Sequence, residues 1–243
     1  MCGRFTLRTT PSELVRFFQL VREPDWTPRY NIAPTQPVLG IRHSAAGREP
    51  VLFHWGLIPS WAEDPSVGAR MINARAETLT ARPAFRNAFR HRRCLVLADG
   101  FYEWKKRNGK DKQPMFVQRK DERPFAFAGL WERWTGGPAG RDDTPVDHRN
   151  PLESCTIITT EPNKLLAPIH NRMPAILIPD TYDMWLDPDN DDLPSLQALL
   201  RPYPSEELMA HAVSKFVNNP RNEGERCVQP ISTTGPEKTF DFG

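Results

Sequence analysis

Proline constrains this chain more than any other residue type, because its 243 residues include 25 prolines. Proline fixes φ and has no backbone N–H, so it interrupts the interior of helices and of central strands. Many long helices are therefore excluded. We expect a loop-rich mixed fold in which short strands and a few short helices are joined by turns.

Short apolar runs bounded by turn residues recur along the sequence, and they predict strands. Each run is rich in β-branched, aromatic or leucine residues, as strands are. The predicted strands cover residues 51–55, 94–98, 115–118, 124–130, 155–159 and 175–178. Short strands separated by frequent turns are typical of a curved antiparallel sheet or barrel.

Two segments predict helices. The sequence TPSE at residues 10–13 forms a capping box with proline at the first helical position, and it predicts a helix over 11–20. A second helix is predicted over 193–200. Together these elements predict an α+β single domain over residues 1–231, with a curved, largely antiparallel barrel-like sheet and peripheral short helices. The polar stretch 135–151 is predicted to be a surface loop rather than a linker, and 232–243 a flexible C-terminal tail.

Composition excludes several classes of protein. No run approaches the ~18 apolar residues of a membrane span, and the N-terminus lacks the apolar core of a secretory signal, so we expect a cytoplasmic protein. The four cysteines, Cys2, Cys94, Cys155 and Cys227, lie far apart and form no Cys-x-x-Cys pair. We therefore expect no zinc site or other metal, no disulfide framework and no cofactor.

Arginines are concentrated between residues 82 and 93 although the formal net charge is only +2. Arg82, Arg86 and Arg90 share one side of a helix if one forms there, and Arg92 and Arg93 are expected to extend the positive charge. A solvated helix face and a nucleic-acid contact both fit this pattern, and the pattern alone favours the solvated face.

Cys2 follows the initiator methionine, and a small second residue usually permits removal of Met1. The mature chain would then begin with a 1,2-aminothiol, whose amine and thiol are both partly deprotonated near neutral pH. An aldehyde reacts with such a group in two steps: the amine forms an imine, and the thiolate adds to the same carbon to close a thiazolidine ring. Position alone favours the alternative that Cys2 is an incidental second codon.

Five ordered stretches place unusual polar residues beside turn residues and aromatics: MCGRF (1–5), YNIAPTQ (30–36), HWGLIPSW with INARAET (54–61 and 72–78), RCLVLADGFYEW (93–104) and IHNRMPAIL (169–177). Together they strongly resemble the SOS response-associated peptidase (SRAP) family of abasic-site-processing proteins. The likeness runs in order from residue 1 to about residue 186.

The resemblance implies four catalytic residues. Cys2 matches the family nucleophile, and Asn73 matches the asparagine that holds the N-terminal amine and the sugar remnant. Glu103 matches the glutamate near the reacting carbon, where a partly desolvated carboxyl with a raised pKa suits a proton shuttle. His170 matches the histidine that protonates the deoxyribose ring oxygen and so opens the sugar.

Further residues are expected to bind DNA. Arg4, Arg75 and Arg172 each lie two residues beyond Cys2, Asn73 and His170, so in an extended segment a guanidinium shares the face of each reactive group. The tryptophans Trp61 and Trp104 offer stacking surfaces for bases beside the gap. The other two matches to pocket-lining family positions are Pro34 and Thr159.

Three functions compete at this point. The first is covalent capture of an abasic site in single-stranded DNA or at a single-strand/double-strand junction, by a monomer that joins the nucleoid during DNA repair and the SOS response. The second is a cysteine peptidase acting through Cys2, at least in removing Met1, with lyase-type activity as a further implication of the resemblance. The third is a non-catalytic nucleic-acid binder, which leaves Asn73, Glu103 and His170 without a role.

Overall fold

The computed structural model describes residues 2–107, 111–136 and 151–231. Within these ranges the α-helices are α1 (Pro11–Phe18), α2 (Pro83–His91), α3 (Tyr182–Leu186) and α4 (Leu193–Ala198). The strands are β1 (Phe5–Leu7), β2 (Arg29–Ile32), β3 (Pro37–Ser44), β4 (Gly47–Trp55), β5 (Asn73–Arg75), β6 (Arg93–Ala98), β7 (Gly100–Lys106), β8 (Lys112–Arg119), β9 (Phe125–Trp134), β10 (Leu152–Thr160), β11 (Met173–Pro174), β12 (Ile176–Leu177) and β13 (Leu208–Ala212).

Five strands close into a barrel. The hydrogen-bonded order β10-β4-β3-β6-β9 returns to β10, because β9 also pairs with β10 along its length. Four of these pairings are antiparallel, whereas β10 and β4 are parallel. Closure leaves these five strands with partners on both sides, and it turns one side chain in two toward a packed interior. The predicted curved, largely antiparallel α+β domain is confirmed.

A second, antiparallel sheet lies beside the barrel in the order β13-β8-β7-β1-β2. Its short strand β1 is held on both sides, since Phe5 pairs with Ile32 of β2 and with Phe101 of β7. The two sheets share one core: the Phe5 ring packs edge-on against Trp55 at 5.1 Å and Phe127 at 5.7 Å. The N-terminal residues therefore enter the molecule between the sheets.

Helix α1 forms as the sequence predicts. Its N-terminus carries the capping contact in which the backbone N–H of Thr10 donates to the Glu13 carboxylate at 3.1 Å. Leu14 and Phe18 form the buried face. The helix ends at Phe18, two residues earlier than predicted, because Gln19 adopts the left-handed conformation with φ 54°.

The predicted strands are all present, but several others were not predicted. The sequence did not predict strands β1, β2, β3, β5, β7, β11 and β13. The segment 175–178, predicted as one strand, overlaps the two-residue strand β12 and lies beside β11. In the described ranges no helix is long and apolar enough to cross a bilayer. Most of the predicted loop 135–151 and all of the predicted tail 232–243 lie outside the described residues.

The arginine-rich segment forms helix α2, on which Arg86 and Arg90 are exposed, while Arg82 precedes the first helical residue. The expectation that Arg92 and Arg93 extend this charged surface is wrong. Arg92 pairs with Glu132 at 2.7 Å, and Arg93 is buried. The carbonyls at the ends of α2 and α3 lack partners within their helices, and the Arg93 guanidinium satisfies them by donating to the carbonyl oxygens of residues 89, 90, 185, 187 and 190.

Candidate active site

The N-terminal end of β1 places Cys2 in the core. Its residue exposure is zero, and its Sγ lies 4.0 Å from the backbone oxygen of Arg4. Burial raises the pKa of the Cys2 thiol well above its ordinary value, and the nearby charge of Glu103 raises it further. The thiol is therefore a neutral group in this setting, adjacent to a carboxyl.

Asn73 joins the N-terminus to the barrel. Strand β5 runs parallel to β10, with Asn73 opposite Ile157, so the side chain is fixed by a buried strand. Its Nδ2 donates to the backbone oxygen of Cys2 at 2.8 Å. Its Oδ1 is buried and accepts no hydrogen bond within the described ranges. A buried amide oxygen without a donor is costly, so this atom is available to an N–H or O–H group brought beside Cys2.

Glu103 lies on β7, next to the path of the N-terminus. The backbone N–H of Tyr102 donates to the oxygen of Arg4 at 2.9 Å, and this antiparallel register brings Glu103 across from Gly3. Only 2% of Glu103 is exposed, and burial raises the pKa of its carboxyl to about 7. The group therefore exchanges a proton near neutral pH, as the sequence predicted for a proton shuttle.

His170 is oriented by contacts within its own segment. The backbone N–H of His170 donates to Leu166 at 2.9 Å, and the backbone N–H of Arg172 donates to Nδ1 at 3.1 Å. Nδ1 also lies 3.3 Å from the backbone oxygen of Arg172, so the ring can use this segment as a donor or as an acceptor according to its tautomer. Burial lowers the pKa of His170, so the neutral form is favoured in the free protein.

Glu103 and His170 line the same cleft of about 620 Å³, together with Trp104 and the segment 167–171. This volume lies in the range of small-molecule sites. A larger cleft of about 760 Å³ lies near α1. There Asp99 already accepts hydrogen bonds from donors that include Thr6 Oγ1, and the described residues that line this cleft include no cysteine or histidine.

The structure thus brings the four predicted catalytic residues together. Asn73 hydrogen-bonds to Cys2, the charge of Glu103 acts on the Cys2 thiol, and His170 shares the cleft of Glu103. The other cysteines, Cys94, Cys155 and Cys227, are buried in the packing of the described residues. Among these residues no group of three or more His, Cys, Asp and Glu side chains is disposed to hold a metal ion.

Two of the three predicted phosphate-binding arginines make internal contacts. Arg4 donates from Nη1 to Asn31 Oδ1 at 2.7 Å and to the backbone oxygen of Val217 at 2.8 Å. Arg172 forms a bidentate ion pair with Glu77, in which Nη1 and Nη2 donate to the two carboxylate oxygens at 2.8 and 3.0 Å. Arg75 is exposed, and its side chain has no hydrogen bond or ion pair with the described part of the chain. The binding of phosphate by these residues stays a prediction, and the geometry favours Arg75 as the most available donor.

The two predicted stacking residues differ in their surroundings. Trp61 is 63% exposed and follows a turn in which Gly56 has φ 140°, a conformation that disfavours a side chain. Trp104 is half-buried: its Nε1 donates to Asn218 Oδ1 at 2.9 Å, and the Arg4 guanidinium lies 5.9 Å from its ring centre. Trp61 presents a free ring, whereas Trp104 is a fixed wall of the cleft.

The remaining predicted positions are less exposed to a ligand. Thr159 is buried, and its hydroxyl donates to the backbone oxygen of Ala74 at 3.3 Å, so it holds β5 against β10. Pro34 is half-buried beyond the end of β2. Asn31 was missed: it is fully buried and donates to the backbone oxygens of residues 217, 219 and 222. The only sequence signal for Asn31 is its position within the YNIAPTQ stretch.

Comparison with known proteins matches residues 1–220 to the family model described as SOS response associated peptidase (SRAP). The chain is 43% identical over 232 residues to "Abasic site processing protein YoqW" of Bacillus subtilis, covering 94% of this chain and 99% of that protein. It is 30% identical over 240 residues to "Abasic site processing protein YedK" of Escherichia coli, covering 95% and 100%. A crystal structure of a Bacteroides thetaiotaomicron protein superposes with a TM-score of 0.81 at 27% identity, covering 95% and 100%.

Proposed function

Because the chain belongs to the SOS response-associated peptidase family, we propose that it captures abasic sites in DNA as a covalent thiazolidine crosslink. In this proposal Met1 is removed, and the amine and thiol of Cys2 both bond to the aldehyde carbon of the ring-opened sugar. The crosslink shields the damaged strand. The names of its relatives, which process abasic sites, support the substrate class.

The observation that carries the proposal is the hydrogen bond from Asn73 Nδ2 to the backbone oxygen of Cys2. It fixes the residue that becomes the N-terminus at the wall of the barrel, beside a carboxyl whose pKa is about 7. The free Oδ1 of Asn73 lies on the same amide and suits an N–H donor such as the new α-amine. A structural cysteine would need neither the amide nor the titrating carboxyl.

The amine is proposed to react first, because burial and Glu103 keep the Cys2 thiol protonated. The α-amine adds to the aldehyde carbon, and loss of water gives an imine. The sulfur then adds to the same carbon, the S–H proton passes to the imine nitrogen, and the five-membered ring closes. Glu103 accepts and returns protons during these steps, since its carboxyl holds and releases a proton near neutral pH.

His170 is proposed to open the sugar. A deoxyribose without a base exists mainly as a closed ring, and its aldehyde forms when the ring oxygen gains a proton. The proton donor is the protonated imidazole of His170, which the contacts of Nδ1 with the backbone of Arg172 orient. The shared cleft brings this donor and Glu103 to one substrate residue.

Single-stranded DNA and single-strand/double-strand junctions are the proposed partners. The exposed ring of Trp61 requires an unpaired base for stacking, and Arg75 offers an exposed guanidinium for a phosphate. The proposal includes action as a monomer in the cytoplasm, at the nucleoid, during the response to DNA damage.

The alternative of a cysteine peptidase receives less support. A thiolate nucleophile needs a base within hydrogen-bonding reach. Within the described ranges, the hydrogen bond of Cys2 Sγ goes to the backbone oxygen of Arg4, and the pKa of the thiol is raised rather than lowered. Self-removal of Met1 remains the one peptidase-type step in the proposal, and it requires no peptide substrate. A purely reversible binder would not use the polar groups around Cys2.

Intact-mass spectrometry tests the proposal. The protein is mixed with a single-stranded oligonucleotide that carries one abasic site, and in parallel with the same oligonucleotide without the lesion. Capture predicts a heat-stable mass equal to protein plus oligonucleotide minus one water, with the first oligonucleotide alone. Cys2→Ala must abolish it. Reversible association with both oligonucleotides and no covalent mass would refute the proposal.

A further inference from the structure

The end of the β7–β8 hairpin carries an unusual pair of like charges. Lys106 and Lys112 lie directly opposite each other in the antiparallel register. Directly opposed side chains in such a pair are close neighbours, and like charges there are destabilising. Both lysines are exposed and line the cleft that contains Glu103 and His170.

No described acid forms an ion pair with these lysines, although the charge of Lys112 acts on the Glu103 carboxyl. Asp111 adjoins Lys112 in sequence, but its carboxylate binds the ammonium group of Lys215 at 2.6 Å. Neither Lys106 nor Lys112 forms an ion pair with the residues that the structure describes. Among the described residues lining the cleft, Glu103 is the only acid, and it is almost completely buried. The entrance of the cleft is therefore positively charged.

We propose that Lys106 and Lys112 form a phosphate site that holds the DNA strand, through one backbone phosphodiester, at the hairpin side of the reactive cleft. This inference rests on the proposed function. A single anion placed between two ammonium groups removes their mutual repulsion and gains two charge-assisted contacts. Lysine suits this position because it binds phosphate as a point charge on a flexible side chain. The ammonium group can therefore stay in contact with the phosphodiester when the strand moves.

The site is distinct from the three arginines predicted from the sequence. Arg75 lies at the end of β5, and Arg172 lies two residues beyond His170 in the segment before β11. The residues that line the cleft include the lysine pair, on β7 and β8, but neither of these arginines.

The charges of the pair also reach the catalytic histidine. Burial is the main cause of the lowered pKa of His170, and the positive charges of Lys112 and Lys106 lower it further. A phosphate bound between the lysines cancels their contribution. Occupation of the site therefore favours the protonated, ring-opening form of His170 when DNA is present.

Binding without reaction tests the site. The probe is a short single-stranded oligonucleotide whose abasic residue is a tetrahydrofuran analogue, which has no aldehyde. The double variant Lys106→Gln/Lys112→Gln is compared with the charge-matched double variant Arg16→Gln/Lys120→Gln, whose residues are exposed and outside the cleft. The slope of log affinity against log salt should become shallower by about 0.7 in the first variant, the loss of one phosphate contact, and remain unchanged in the control.

Replacement of single phosphodiesters by uncharged methylphosphonates then locates the contact. The native protein should lose affinity when one particular linkage near the abasic residue is neutral, and the lysine variant should be indifferent at that linkage. Equal salt slopes, or identical methylphosphonate profiles for the native and lysine-variant proteins, would overturn the site. Adduct formation by the native protein with true abasic DNA is measured in parallel. Its absence would refute the proposed function, whereas its presence with an unaltered lysine-variant profile would refute only the phosphate site.

Discussion

The side chain of Asn73 donates a hydrogen bond to the backbone oxygen of Cys2 at 2.8 Å, although 71 residues separate them in the sequence. This contact ties the first described residue of the chain to a strand of the barrel assembly. Cys2 is thus as well fixed as a core residue, and it is buried like one. Such fixation is what a reactive N-terminus needs, because a frayed terminus would present its amine in many positions.

Replacing Asn73 tests this contact. Asn73→Asp keeps the size of the side chain but removes the donor, so the buried oxygen of Cys2 loses its partner and gains a nearby acceptor. We expect a loss of about 1–3 kcal/mol in the free energy of unfolding and slower adduct formation. Asn87→Asp, on the exposed face of α2, is the matched control and should change neither. Denaturant unfolding and a time course of adduct mass measure the two effects, and an unaltered adduct rate would contradict the role of Asn73.

Glu103 sets a pH dependence of reaction. Its carboxyl has a pKa of about 7 because of burial, so the proton-accepting form appears as pH rises through that value. The rate of adduct formation should increase through about pH 7 in the native protein. Glu103→Gln should react more slowly by ~10²–10⁴-fold, and its rate should lack this increase with pH. A rate profile that is identical in Glu103→Gln would rule the carboxyl out as the proton shuttle.

The same carboxyl sets a pH dependence of stability. Burial raises the pKa of Glu103 from 4.5 to about 7, so the folded chain binds this proton more tightly than the unfolded chain does. Its contribution is therefore fully present below about pH 4.5 and is lost as pH rises through about 7. Glutamine does not titrate, so the Glu103→Gln variant does not lose stability in this way. The free energy of unfolding of the variant, minus that of the native protein, should therefore rise between about pH 4.5 and about pH 7. A difference in free energy of unfolding that stays constant over this pH range would contradict the raised pKa.

The arginines should separate into two classes. Arg75→Gln should flatten the salt dependence of single-stranded DNA binding by about 0.7 and leave the melting temperature unchanged, because its side chain is exposed. Arg172→Gln should also lower the melting temperature, because it breaks the pair with Glu77 and the contact with Thr159. Arg16→Gln is the control for an exposed arginine away from the cleft. Equal salt slopes in Arg75→Gln and the native protein would remove Arg75 from the DNA path.

The two nucleophiles of Cys2 can be separated chemically. Cys2→Ser keeps the α-amine, but its hydroxyl is a weaker nucleophile than the thiol, so an imine can form without closing a stable ring. Its adduct with abasic DNA should survive heating only after reduction with borohydride. The native adduct should survive without reduction. A heat-stable Cys2→Ser adduct in the absence of borohydride would show that the sulfur is not part of the final bond.

Local patterns predicted the elements that depend on local contacts. The capping box fixed the start of α1, and apolar runs identified strands such as β6, whose six residues are all buried. Strand β1 could not be predicted in this way, because its three residues are a strand only through their partners Ile32 and Phe101. Arg93 was mispredicted for the same reason: its acceptors include Trp185, 92 residues away.

The candidate site divides similarly. Ordered motifs predicted the four candidate reactive residues, since each lies in a short distinctive stretch of sequence. The partners of Arg4 and Arg172 were out of reach, because the acceptor Val217 lies 213 residues from Arg4 and the partner Glu77 lies 95 residues from Arg172. The opposition of Lys106 and Lys112 depends on the hairpin register, which the sequence does not specify.

The most direct test of the central account is whether a free α-amine on Cys2 is required. A variant in which an additional residue is retained before Cys2 keeps the thiol, Glu103 and His170 but has no amine on Cys2. Intact mass is measured after incubation with abasic single-stranded DNA, with and without borohydride. The account predicts a full covalent adduct for the mature chain and none for the variant under either condition. An equal yield of heat-stable adduct from the variant would contradict thiazolidine capture and would require a simple thiol addition in its place.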